Sequence, residues 1–228
     1  MKLIKNNSKK IKYSFVMGRL SKKIGDKFQY FPIDNWQNEI RTAKKFNFDG
    51  VEWIISDYSN PIFNEIYLQD IIKRIKKEGL IINSIYLDLI MQDPLHKISI
   101  KNLNWILEKI KIIQNLTKIN RITFPVEENC RFYFDHEKKE VVKKLSYILK
   151  KLGGKSKISI ETDISVSNLE KLLKINNLKE LGLLIDIGNI RANGFDLQDY
   201  INKFSNKIYV RIHFVDIVSI CVTINSIV

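Results

Sequence analysis

The sequence predicts an α/β fold, a (β/α) TIM-type barrel with parallel strands, and three observations carry that expectation. Short runs rich in Ile, Leu and Val alternate with longer segments of helical periodicity, the pattern of buried parallel strands joined by crossover helices. Three successive runs, Lys157-Ile-Ser-Ile-Glu161, Leu183-Leu-Ile-Asp186 and Ile208-Tyr-Val-Arg-Ile-His213, each end in a residue able to bind a metal. A barrel uses about 250 residues for eight modules and builds its active site at the C-terminal ends of its strands, so this spacing sets Glu161, Asp186 and His213 on one rim. A doubly wound sheet would start with a glycine-rich turn, and Met17-Gly18-Arg19-Leu20 has neither that glycine pattern nor an acidic residue at the distance that reads a ribose.

Taken in order, Lys12 to Met17 is the first strand, followed by an unusually long polar loop to Pro32. Asp34 is the expected N-cap of a helix from Trp36 to Phe46, which Phe48-Asp49-Gly50 closes. Gly50 to Ile55 is strand two. A helix from Leu68 to Glu78, with Gly79 just past its end, leads to a strand from Ile81 to Tyr86 that ends near Asp88. Leu103, Ile106, Leu107, Ile110 and Ile113 recur at helical spacing between Lys101 and Leu116, and Arg121 to Pro125 is strand four. Its outgoing loop carries Glu127, Glu128, Arg131 and His136. Glu137 to Leu152 is helical and stops at Gly153-Gly154; Ser165 to Ile175 and Leu197 to Phe204 supply the later crossovers. Seven strands are recognisable, in a single domain over residues 1-228.

The chain has 228 residues, 45% hydrophobic and 28% charged, an ordinary globular balance. Its net charge of +13 comes from lysines spread along the whole length. Such lysines solvate helix faces, and Lys, Ile and Asn all have codons of A and T alone. A nucleic-acid partner is therefore not expected, while an anionic substrate is favoured. Cys130 and Cys221 are far apart and form neither a disulfide framework nor a zinc ribbon, which fits a reducing cytoplasm. Tyr13 to Met17 is too short for a signal peptide, and nothing approaches a membrane span of about 20 residues.

Two carboxylates and an imidazole suit Mn, Mg, Co or Zn. Taken singly, a Glu at a strand end is usually solvated, an Asp before a turn usually shapes it, and a lone His is usually structural. Three together at module spacing point to one site. Glu52, Asp88, Glu127, Asp163 and Arg191 also stand near strand ends, and Arg19 and Arg191 are candidates to bind a phosphate by a bidentate fork. No GxSxG, Walker or HExxH motif occurs.

Met17-Gly-Arg-Leu-Ser21, Phe48-Asp-Gly-Val-Glu52, Ile160-Glu-Thr-Asp163, Asp186-Ile-Gly-Asn189 and Ile212-His-Phe-Val-Asp216 together resemble the signatures of the xylose isomerase-like barrel superfamily, in its sugar phosphate isomerase/epimerase branch. The resemblance runs from Tyr13 to about Asp216. It implies one divalent metal ion, held by a Glu of the fifth strand, an Asp of the sixth, a His of the seventh and a Glu of the eighth. Glu161, Asp186 and His213 match the first three. It also implies a sugar or sugar-phosphate substrate, contacted by Arg19, Glu52 and Arg191, with Glu161 as a base that moves a proton through an enediolate. A homo-oligomer is compatible with it.

Beyond Asp216 the sequence departs from that pattern. The tail from Ile217 to Val228 is apolar and β-branched, so the expectation is a C-terminally truncated barrel whose eighth module is missing or replaced. That leaves exposed edges at strands one and seven, for which the apolar tail offers partial cover by pairing or packing, and no residue matches the fourth ligand or a second proton-transfer carboxylate. Whether such a chain is an active enzyme or a non-catalytic remnant is left open at this level. An abasic-site endonuclease ranks below both, because it needs more histidines than His96, His136 and His213, and Asn189 stands where that branch carries a metal-binding His.

Overall fold

The computed structural model describes residues 12–22, 25, 30–211 and 220–223. Strands β1 (Lys12–Val16), β2 (Gly50–Ile54), β3 (Ile81–Tyr86), β4 (Arg121–Val126), β5 (Lys157–Thr162) and β6 (Gly182–Asp186) pair in sequence order, each parallel to the next. They form a curled half-barrel. Six of the seven expected strands make this wall; β7 (Ile208–Arg211) extends it by backbone pairing with β6, and its side chains from Tyr209 onward lie outside the described residues.

At the other edge the outcome differs from an open barrel. Ile220–Thr223 forms β8, antiparallel to β1, with Tyr13 opposite Val222 and Phe15 opposite Ile220. Only a parallel neighbour requires a crossover of a dozen or more residues. A strand returning antiparallel needs none, so the apolar tail covers the β1 edge by reversing direction.

Helices α1 (Trp36–Lys45), α2 (Glu65–Lys77), α3 (Ile100–Thr117), α4 (Asp135–Leu152), α5 (Val166–Leu173), α6 (Ile187–Ala192) and α7 (Leu197–Phe204) fill the connections. Several helix starts or caps differ from expectation. Asn35, not Asp34, flanks α1, and it makes no side-chain cap bond. α2 begins before Leu68 because Asn64 accepts from the Ile66 and Tyr67 amides, while Ile66 and Tyr67 point to solvent and hide the apolar period. α6 was not expected at all; Asp186 caps it. Among the described residues no helix is long and apolar enough to cross a membrane.

Register assigns the side chains to two faces, because in-register neighbours on parallel strands and residues two apart on one strand share a face. Phe15, Val51, Trp53, Ile85, Ile122, Phe124, Ile158, Ile160 and Leu183 share one face. It joins helix residues such as Ile40, Leu68, Ile71, Leu103, Leu107, Val141, Leu145 and Leu169 in the hydrophobic core. Each such side chain stabilises the fold by roughly 1.5–3 kcal/mol when fully buried. The opposite face, which lines the inside of the curl, is polar.

That inner face carries Ser14, Glu52, Ser84, Tyr86, Thr123, Ser159, Glu161 and Asp186, all buried. Glu52 lies on it by alternation from Gly50, and an extra residue in β3, Asn83, brings Ser84 level with it, where Ser84 Oγ donates to Glu52 Oε2 at 2.6 Å. Thr123 and Ser159 hydroxyls meet at 2.9 Å. Gly50 lets β1 and β3 close on β2 here, since a Cβ would meet Ile81 O at 2.8 Å and Ser14 Oγ at 3.1 Å. A barrel interior is ordinarily filled by layers of Val, Ile and Leu. Here hydroxyls and carboxylates share that place with Val16, Ile54, Pro125 and Leu184, which is costly unless the polar groups bond one another or a ligand.

Candidate active site

The acidic side chains stack in layers at the C-terminal end of this polar wall. Glu161 on β5 is in register with Pro125 on β4 and Leu184 on β6. Asp186, two residues beyond Leu184, therefore shares the face of Glu161 and stands one layer nearer the mouth. Val126 is in register with Thr162, so Glu127 and Asp163, the next residues on each chain, come level at the ends of β4 and β5. Glu161 is 2% exposed and Asp186 5%.

Each acid has a different set of partners. Asp186 accepts the Asn189 backbone N–H at 3.1 Å as cap of α6. That turn carries the Asn189 side chain across to β4, where Nδ2 donates to Glu127 Oε2 at 2.7 Å. The other oxygen of Glu127, Oε1, receives the Tyr86 hydroxyl at 3.3 Å, and the same phenol is hydrogen-bonded to Glu161. Asp163 is gripped by a fork: Arg131 Nε donates to Oδ1 at 2.6 Å and Nη2 to Oδ2, while the Glu128 amide adds a bond at 3.2 Å. Arg131 Nη2 also reaches Asn193 Oδ1 at 2.7 Å, tying the β4 loop to the end of α6.

The electrostatics follow from this packing. Burial raises the Glu127 carboxyl up to about 8, helped by the nearby charges of Asp163, Asp186 and Glu128 and opposed by the Asn189 amide. Burial likewise lifts the Tyr86 phenol well above its ordinary value, with Glu161, Glu127 and Asp88 adding to it. Several acids thus crowd a buried wall, and the guanidinium of Arg131 is forked to one of them, Asp163.

The loop after β1 is shaped by a separate carboxylate. Glu39, fully buried on α1, takes the Gly18 amide at 2.6 Å and the Leu20 amide at 2.9 Å. Gly18 has φ +94, and a Cβ there would meet Tyr30 O at 2.3 Å, so only glycine fits. Arg19 is thereby held half-buried between two anchored amides.

Of the residues singled out in the sequence, Glu161 and Asp186 come to one face at the mouth, while His213 lies outside the described residues. Glu52 shares the wall two layers deeper, level with Ser84. Arg191 is exposed on the last turn of α6. Sequence reasoning assigns no role to Tyr86 and does not foresee that Asn189 and Tyr86 are linked through Glu127. A period of two along each strand, Ser84-Tyr86, Thr123-Pro125-Glu127 and Ser159-Glu161-Asp163, is the signal that marks them as one face.

Among the described residues no three acidic, histidine or cysteine side chains form a metal-binding group. Glu161 and Asp186 are nonetheless hard oxygen donors on a wall with surplus negative charge, the donor chemistry a divalent cation takes. They fit as half of such a site.

No family model and no curated protein matches the chain. Solved structures do. The probable 3-DHS dehydratase involved in petrobactin synthesis from Bacillus anthracis matches with a TM-score of 0.64 at 19% identity, over 89% of this chain and 72% of that one. The 3-keto-D-glucoside 4-epimerase from E. coli matches at 0.59 and 17% identity, over 82% and 76%. The family 2 AP endonuclease from Brucella melitensis matches at 0.63 and 13% identity, over 87% and 78%. Further matches include a sugar phosphate isomerase/epimerase and a xylose isomerase-like barrel in complex with magnesium. The fold is therefore that of the xylose isomerase-like barrels. At these identities the likeness speaks for the fold, which hosts several chemistries.

Proposed function

We propose that the chain is a divalent-metal-dependent isomerase or epimerase of a sugar or sugar phosphate, acting by proton transfer through an enediolate. The observation that carries this reading is the pair Glu161 and Asp186, buried on one polar wall at the strand ends. Sugar epimerases and isomerases among the matched structures support it. Glu161, Asp186 and His213 would hold one Mn, Mg, Co or Zn ion. Such an ion, when bound, polarises a carbonyl and an adjacent hydroxyl and stabilises the negative charge that develops on them.

Glu161 takes the hydrogen from the carbon between those oxygens, its carboxylate being oriented by the Tyr86 phenol. The buried wall excludes water, which protects the enediolate from side reactions. Arg19 and Arg191 are the candidates for an anionic group of the substrate, in keeping with the net charge of +13. An abasic-site endonuclease gains nothing from the site itself, where Asn189 gives its amide to Glu127. The working compartment is a reducing one, the cytoplasm, consistent with Cys130 as a buried free thiol.

The test is a screen of ketoses and their phosphates, with Mn or Mg supplied, for exchange of the α-hydrogen with solvent deuterium by NMR. Exchange is expected for at least one sugar, and Glu161→Gln should lower it about a hundredfold or more. Equal exchange in the variant removes Glu161 as the base; none with any sugar in the wild type removes the reading.

A further inference from the structure

We infer that a cleft in the helix layer, separate from the acidic wall, binds a small amphiphilic anion, a carboxylate carried on an apolar body. The cleft is lined by the start of α3 and one face of α4 and shares no residue with the wall. Its volume of about 820 Å³ suits one small molecule.

α4 carries two stripes. Val141, Leu145, Ile148 and Leu152 pack into the core. Glu140, Lys143, Lys144, Tyr147 and Lys150 recur three or four residues apart on an adjoining face and line the cleft. Lys143 and Lys150 are exposed, as lysines of a solvated helix face are, whereas Lys144 is only 7% exposed. A lysine is almost never buried that far unless its charge is paired.

The pairing that Lys144 has is poor. Glu140 is the one carboxylate in the lining, and it is divided between two ammonium groups. Its Oε1 stands 3.5 Å from Lys143 Nζ and its Oε2 3.7 Å from Lys144 Nζ. Both separations exceed the roughly 2.7–2.9 Å of a close charged hydrogen bond. Burial lowers the Lys144 ammonium from its ordinary value, Glu140 and Asp93 oppose that, and Lys143 adds to it. A further anion beside Lys144 would relieve this imbalance.

The rest of the lining selects the body of the ligand. Ile98 is buried, and Ile100, the first residue of α3, is 52% exposed. The Tyr147 hydroxyl donates to Asn104 Oδ1, so Tyr147 offers the cleft its ring instead of a free polar group. A bare inorganic anion leaves this apolar wall wet, and a neutral apolar molecule leaves the lysines uncompensated. A carboxylate on an alkyl chain answers both.

Calorimetric titration of the full chain with decanoate, below its micellar concentration, tests the site without any turnover. One decanoate should bind per chain. Acetate lacks the tail and decyltrimethylammonium reverses the charge, and each should bind at least about tenfold more weakly. Lys144→Met keeps the stem and removes the charge, and it should weaken decanoate binding about tenfold or more without weakening resistance to urea. General attraction to a chain of net charge +13 would hardly change on the loss of one charge, so that drop is specific to the cleft. Ile100→Asp, at an exposed position, sets a negative charge on the wall and should weaken decanoate as much; it decides the matter if Lys144→Met does not fold. The proposal is overturned by no binding to the wild type, by equal binding of acetate or of the alkylammonium, or by unchanged affinity in either folded variant.

Discussion

Two glutamates of this fold, Glu39 and Glu127, are both buried, and their surroundings are opposite. Glu39 on α1 is ringed by donors: the Gly18 and Leu20 amides at 2.6 and 2.9 Å, with Ser21 beside them. Burial raises its carboxyl and those bonds pull it back. Glu127 on the β4 loop has one amide and a phenol shared with another acid, and otherwise faces carboxylates. The first carboxylate is a staple that folds a loop. The second is held against its own electrostatics, which is how sites for protons and cations differ from structural ion networks.

The contrast breaks if Glu39 can be removed cheaply. Glu39→Ala leaves the half-buried Gly18 and Leu20 amides without their acceptor, where a fully buried unsatisfied group would cost about 1–3 kcal/mol. We expect a loss of about 3 kcal/mol in urea unfolding. A change below ~1 kcal/mol would show that water replaces the carboxylate and that the loop does not depend on it.

A smaller effect separates the two glutamates by pH. The Glu127 carboxyl is raised from an ordinary 4.5 to about 8 in the folded chain. The folded state therefore holds a proton that the unfolded state releases above its own, lower value. That contribution to stability is complete below the unfolded value and is lost as pH rises through the folded one. Between about pH 5 and 8 the wild type should lose on the order of 2 kcal/mol relative to Glu127→Gln, measured by paired denaturation curves. Parallel curves for the two proteins would mean that the wall is better solvated than its burial indicates.

The smallest expected change sharpens the same point. Ser14 is buried on the polar face of β1, and its hydroxyl has no partner among the described residues. Ser14→Ala removes an unsatisfied group, so stability should change by less than about 0.5 kcal/mol or rise slightly. A clear loss would reveal a bonded water inside the curl.

Much of this was legible in the chain. Apolar runs at module spacing marked β2 to β6, and Glu161 and Asp186 could be picked out because they end strands. Three things were hidden for physical reasons. The start of α2 was masked because Ile66 and Tyr67 are exposed, so burial and hydropathy disagree there. Pairing of the tail with an exposed edge was an open alternative, but the antiparallel direction of β8 was not legible because strand periodicity carries no direction. The Tyr86–Glu127–Asn189 linkage depends on register between β3, β4 and the cap of α6, and pairing partners distant in sequence leave no local trace. Asp186 was read as a turn former or a ligand, and its cap bond to Asn189 makes it the residue that aims the Asn189 amide.

The central claim is that this buried acidic wall exists to hold one divalent cation. Calorimetric titration of Mn into metal-free wild type, Glu161→Gln and Asp186→Asn tests it most directly. One ion per chain should bind the wild type, and each variant should bind it at least about tenfold more weakly. Equal binding by all three proteins, or none by the wild type, would contradict the account.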